Sequence, residues 1–135
     1  MFIYEHQLRI RYAETDQMGY VYYGNYAAFY EVARTEMLRQ TGISYKQLED
    51  MGVMMPVLEM HTKYLQPAKY DELITIKTTI RERPNVRINF EYEICNEQGT
   101  LLNTGSTQLV FVDKKKNRPC RAPDIFLEKI APYFT

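Results

Sequence analysis

The stretch Tyr26–Ala33 constrains the fold more than any other. Tyr26, Ala27, Ala28, Phe29, Tyr30, Val32 and Ala33 leave almost no polar face over two helical turns. A helix that is apolar all round is expected to be buried all round. Asn25 stands where a cap would, the body runs to about Gln40, and Gly42 supplies the stop. Glu31, Arg34, Glu36 and Arg39 bring charge to the later turns, so the far end is expected to emerge into water. Ser44 and Gln47 form a capping box for a short second helix ending near Gly52.

Around this helix the texture is β. Phe2, Tyr4, His6, Leu8, Ile10 and Tyr12 share one parity against Glu5, Gln7, Arg9 and Arg11, the pattern of a half-buried strand. Further strands are predicted over Val53–Leu65, with Pro56 near its start, and over Leu73–Glu82, Val86–Ile94 and Leu101–Asp113. Arg83-Pro84-Asn85 and Asn96-Glu97-Gln98-Gly99 separate them as turns. The basic run from Lys114 to Pro119 closes the last strand, and Asp124 is expected to cap a terminal helix stopped by Pro132. At 135 residues the expectation is one α+β domain spanning 1–135, with a curved, largely antiparallel sheet around the apolar helix. Whatever the sheet leaves open calls for a second subunit.

Composition removes several functional classes. The 17 basic and 17 acidic residues cancel, which disfavours a nucleic-acid binder. No apolar run approaches the ~20 residues of a membrane span. Glu5, His6, Arg9 and Arg11 interrupt any secretory leader in the first residues. Cys95 and Cys120 form no CxxC, and the expected setting is a reduced cytoplasm. His6 and His61 lie far apart on strands, so no metal site is expected.

The chemistry-bearing stretch is Arg11–Tyr26. It places Asp16 in a polar loop just before the amino end of the buried helix, where unpaired N–H groups carry partial positive charge. A carboxylate facing such donors across a gap can attack a carbonyl that they polarise. Asp16 and Thr15 would equally serve to satisfy turn amides.

The run from Arg11 to Met37 resembles the 4-hydroxybenzoyl-CoA thioesterase family, in its bacterial acyl-CoA thioesterase branch. The matching positions are Tyr12, Glu14-Thr15, Asp16, Met18-Gly19 and Tyr22-Tyr23-Gly24-Asn25-Tyr26, followed by Glu31 and Ala33-Arg34-Thr35-Glu36. Tyr64-Leu65-Gln66-Pro67-Ala68-Lys69-Tyr70-Asp71-Glu72-Leu73 is similar to the family's strand–turn–strand. The resemblance implies a hot-dog fold, in which a five-stranded antiparallel sheet wraps a central helix.

It also implies roles. Asp16 matches the catalytic carboxylate, as nucleophile or as general base on water. Tyr23, seven positions on, matches the residue whose backbone N–H points at the thioester carbonyl. Many members carry His there, so a side-chain role for that position does not transfer to Tyr23. Glu31 reads as structural. The basic residues Arg83, Arg87, Lys115, Arg118 and Arg121, with Lys114 and Lys116, are candidates for the CoA phosphates or for a solvated sheet edge. Met51, Met54, Met55 and Met60 suit core filling or an acyl pocket. The implied protein is a homodimer or homotetramer that hydrolyses a fatty-acyl or small aromatic acyl-CoA, with CoA part of the substrate and no further cofactor. An acyl-carrier-protein thioesterase and a non-catalytic acyl-CoA-binding module are the alternatives.

Overall fold

In the computed structural model, which describes residues 1–135, the alternating N-terminal segment forms strand β1 (Phe2–Arg9). It stops before Tyr12, which opens a 3₁₀ turn, Tyr12–Glu14, and is 78% exposed. The central helix α1 (Tyr26–Arg39) follows, then α2 (Tyr45–Asp50). The capping box of α2 is present: Gln47 N–H donates to Ser44 Oγ at 3.2 Å, and Ser44 N–H donates to Gln47 Oε1 at 2.7 Å. Gly42 ends α1 with φ +88°, a conformation that favours glycine.

The segment expected as one strand from Val53 to Leu65 is two. β2 (Val53–Met54) and β3 (Val57–Tyr64) join different sheets, because Pro56 has no N–H for a continuous ladder. β4 (Leu73–Ile80) and β5 (Arg87–Cys95) follow. The last long strand also divides, into β6 (Leu101–Val110) and β7 (Val112–Asp113), at the buried Phe111. β8 (Arg118–Pro119) and helix α3 (Asp124–Ile130) complete the chain. Asp124 is the first residue of α3 rather than its cap, Pro123 taking that position. Pro132 continues into a 3₁₀ turn, Ala131–Phe134, instead of stopping the chain's helical course.

The main sheet has five antiparallel strands in the order β1-β4-β5-β6-β3. β2, β7 and β8 form a small second sheet. Alternation does what it predicts: Ile88, Phe90, Tyr92 and Ile94 of β5 face α1 and are buried, while Arg87, Asn89, Glu91 and Glu93 face out. No helix is long and apolar enough to cross a membrane.

The helix departs from its expected complete burial. Tyr26, Phe29, Tyr30, Ala33, Arg34, Met37 and Leu38 form one stripe against the sheet at a 3.6-residue period. Ala27, Ala28, Glu31 and Val32 lie on the opposite, exposed face. The single sheet covers only one side of α1, and no other layer of the chain covers the rest.

The core also explains Gly105. A Cβ there would land on the Tyr30 phenol, within 2.7 Å of Cε2. The Tyr30 ring cannot retreat, because it stacks on Tyr92 at 4.2 Å between centroids and 7° between planes. Gly105→Ala is therefore expected to lower unfolding free energy by about 1–3 kcal/mol, the range for overpacking a closed core. Urea denaturation checks this as a lower midpoint at unchanged slope.

Candidate active site

Asp16 sits in the loop after β1. Its backbone N–H donates to Tyr20 O at 2.8 Å, and its own carbonyl accepts from Gly19 N–H at 3.0 Å. Gly19 turns the chain with φ +77°. Oδ1 of the side chain accepts from the N–H groups of Met18 (2.8 Å) and Tyr20 (3.3 Å). Oδ2 has no hydrogen-bond partner in the chain. The turn thus engages one oxygen of Asp16 and leaves the other open.

The helix entrance differs from the expected one. Asn25 has helical dihedrals (φ −82°, ψ −13°) and caps nothing; its Nδ2 donates to Glu14 O at 2.8 Å, tying the helix entrance to the Asp16 loop. A 3₁₀ turn, Tyr23–Asn25, runs directly into α1, so Tyr23 lies in the first turn rather than outside it. Tyr22 N–H is taken by Glu14 O and Asn25 N–H by Tyr22 O, both at 2.9 Å. The N–H groups of Tyr23 and Gly24 have no acceptor within the chain. They are the free donors that a helix start provides.

Asp16 and Tyr23 line one cleft of about 330 Å³, together with Tyr26, Tyr64, Leu65 and Pro67. Tyr64, at the end of β3, stands edge-on to Tyr26 at 5.2 Å and to Tyr23 at 6.5 Å. Burial holds the Tyr26 phenol above its ordinary pKa, so this ring stays uncharged near neutrality. Tyr64 and Leu65 escaped the sequence reading as wall residues. Their only local signal is apolar bulk at a strand end, which does not say what the strand end faces.

The basic candidates lie elsewhere. Arg83 is in the β4–β5 loop, Arg87 opens β5, Lys115 and Arg118 belong to the β7–β8 hairpin, and Arg121 follows it; all five are exposed. Ala122 N–H donates to Asn85 O at 2.8 Å, which joins the two segments into one rim. Arg87 also donates to Gln108 Oε1 at 3.2 Å. By strand register this rim is at the end of the sheet that holds Val57 and Val110, whereas Asp16 is at the end that holds Tyr64 and Leu101. Eight strand residues separate the two ends, roughly 25 Å. One chain does not bring the rim to its own cleft.

The other candidates lie outside this cleft. Glu31 is exposed and lies outside the Asp16 cleft. His61 is exposed beside Glu59 at 3.9 Å, and no group of three or more His, Cys, Asp or Glu side chains is arranged to hold a metal ion. Burial raises the thiol pKa of both Cys95 and Cys120, which disfavours the nucleophilic thiolate.

A five-stranded antiparallel sheet packed on one central helix is the hot-dog fold. The family model described as "Thioesterase-like superfamily" matches residues 10–130. The acyl-CoA thioester hydrolase YbgC of Escherichia coli is 38% identical over 116 residues, 86% of this chain and 87% of that protein. The acyl-CoA thioesterase YbgC of Haemophilus influenzae is 30% identical over 86% of this chain and 85% of its own. Among solved structures, a DHNA-CoA thioesterase from Staphylococcus aureus superposes with a TM-score of 0.85 at 35% identity, covering 99% of this chain and 87% of that one. The chain belongs to the thioesterase-like superfamily.

Proposed function

We propose that this enzyme hydrolyses acyl-CoA thioesters to the free acid and CoA. The observation that carries the reading is Asp16 Oδ2, left without a partner, in the same cleft as a helix start whose Tyr23 and Gly24 N–H groups have no acceptor. The amides stabilise the oxyanion that forms when the thioester carbonyl is attacked. Asp16 supplies the attack, directly or through a water. Tyr23 acts through its main chain, so the absence of His at this position leaves the donor in place. The ring walls of Tyr23, Tyr26 and Tyr64 favour a small aromatic acyl group over a long flexible chain.

The working unit in this proposal is a dimer. β3 is an edge strand exposed along nearly its whole length, with Val57, Leu58 and Met60 among its exposed apolar residues. Such an edge is a template for pairing with another strand. A two-fold axis through its middle pairs it antiparallel with its copy, setting the start of one β3 beside the end of the other. That arrangement carries the basic rim of one protomer toward the cleft of its partner, and the phosphates of CoA onto Arg83, Arg87, Lys115, Arg118 and Arg121.

A panel of acyl-CoA thioesters with a free-thiol readout tests the activity. Turnover of carrier-protein thioesters alone would move the substrate class, and binding without turnover would favour a non-catalytic module. Lys115→Ala and Arg118→Ala are expected to raise KM for CoA esters with kcat largely kept, the signature of lost uniform binding. A truncated pantetheine thioester should show little effect. Equal losses on both substrates would remove the rim from CoA binding.

A further inference from the structure

The cleft has one wall on α1 and the other on the end of β3, and a buried hydroxyl ties the two together. Tyr30 is completely buried and sits one turn after Tyr26. Its O–H donates to Asn103 Oδ1 on β6. Asn103 Nδ2 donates to Thr62 Oγ1 on β3 at 2.9 Å and to Lys63 O at 3.1 Å. Thr62 and Tyr30 share a bond of 2.8 Å. With the other two donors assigned, Thr62 O–H is the donor to Tyr30 O, and the three side chains close a ring. Burial pushes the Tyr30 phenol up to about 12 against the lowering effect of its bonds with Thr62 and Asn103, so the proton stays on oxygen near neutral pH.

The ring of bonds stands where β3 loses other support. β3 is bonded on one side only, to β6. Just past its end, Leu65 N–H and Gln66 N–H both turn to the same acceptor, Leu102 O, at 2.9 and 3.0 Å. The direct link across the cleft, from Tyr64 O–H to Tyr23 O, is long at 3.4 Å. A phenylalanine at position 30 would fill the same space and stack as well on Tyr92. The hydroxyl adds bonds that lead only to β3 and β6.

We propose that Tyr30 is a positioning residue: through Asn103 and Thr62 it holds the Tyr64–Leu65 wall at its distance from the helix start, and so sets the width of the Asp16 cleft. The proposal rests on the thioesterase reading of that cleft. Misplacing a reacting group by an ångström costs up to about 10²-fold in rate.

Tyr30→Phe tests it, with Tyr92→Phe as the matched control. Tyr92 is equally buried, belongs to the same stacked pair and also loses a buried bond, to Thr107 Oγ1 on β6 at 2.6 Å, but it has no bond to β3. Both variants are expected to lower Tm by similar amounts. Tyr30→Phe should lower kcat roughly 10- to 100-fold with KM within about two-fold, and Tyr92→Phe should leave both constants near wild type. Amide exchange at Leu65 and Gln66 should quicken in Tyr30→Phe alone. Thr62→Val, at a half-buried strand position that accepts valine, should give the same signature at smaller amplitude and serves if Tyr30→Phe does not fold. Wild-type kcat in Tyr30→Phe, or parallel kcat losses in both Tyr variants, overturns the proposal. Exchange does not depend on turnover. A wild type without thioesterase activity therefore removes the functional reading, while unchanged exchange in Tyr30→Phe removes the positioning one.

Discussion

Asp16→Asn lowers kcat for thioester hydrolysis by roughly 10²–10⁴, the range for a positioned acid–base group, while substrate still binds. The structure makes this variant clean. An asparagine Oδ1 can keep accepting from Met18 and Tyr20 N–H, so the loop retains its turn, and only the oxygen without a partner is replaced. Asp16→Glu should also be poor, because one methylene displaces the attacking oxygen by about 1 Å and breaks the turn bonds together. Glu31→Gln, altering the exposed carboxylate on α1, should leave the chemistry unchanged. Single-turnover hydrolysis with circular dichroism and particle size decides the matter. A folded Asp16→Asn with wild-type turnover, beside an inactive Glu31→Gln, would move catalysis to the helix.

Introducing Asp at both Leu58 and Met60 on the edge strand β3 should leave a folded monomer of 16.1 kDa with its hydrolysis of acyl-CoA largely lost. Both positions are exposed in the single chain, so neither substitution disturbs its core. In the β3-paired dimer these positions are covered, and an unpaired buried carboxylate there costs about 3–5 kcal/mol. That weakens association by roughly 10²–10³-fold or more, since each 1.4 kcal/mol is tenfold. Activity follows assembly here because the basic rim and the Asp16 cleft lie at opposite ends of one sheet. Sedimentation velocity alongside the thiol assay measures both. A wild-type protein that sediments as an active monomer would overturn the dimer and the shared site with it.

Much of this molecule was legible from residue order. The strand texture of β1, β4 and β5, the turn at Asn96–Gly99, the capping box of α2 and the αL stop at Gly42 all follow from interactions spanning a few residues. That Asp16 and Tyr23 share a loop leading into the helix start was equally legible, although bonds from Val21 N–H to Ala68 O and from Tyr70 N–H to Gly19 O also hold that loop in place.

Tertiary structure alone decided what depends on distant partners. Hydrophobicity says that Ala27, Ala28 and Val32 tend to leave water, but not what covers them, and within the chain nothing does. The exchange of Asn25 from cap to tether needed Glu14, 11 positions away. Two strands expected to be continuous break at Pro56 and Phe111, where the chain passes from one sheet to the other. The strand register placed the basic rim a sheet's length from Asp16, and the strand order left β3 at the edge. The Tyr30–Asn103–Thr62 ring joins residues 73 and 41 positions apart. Local pattern records which face of each element is apolar; which elements meet, and therefore which polar groups find partners, is fixed only when the sheet packs against the helix.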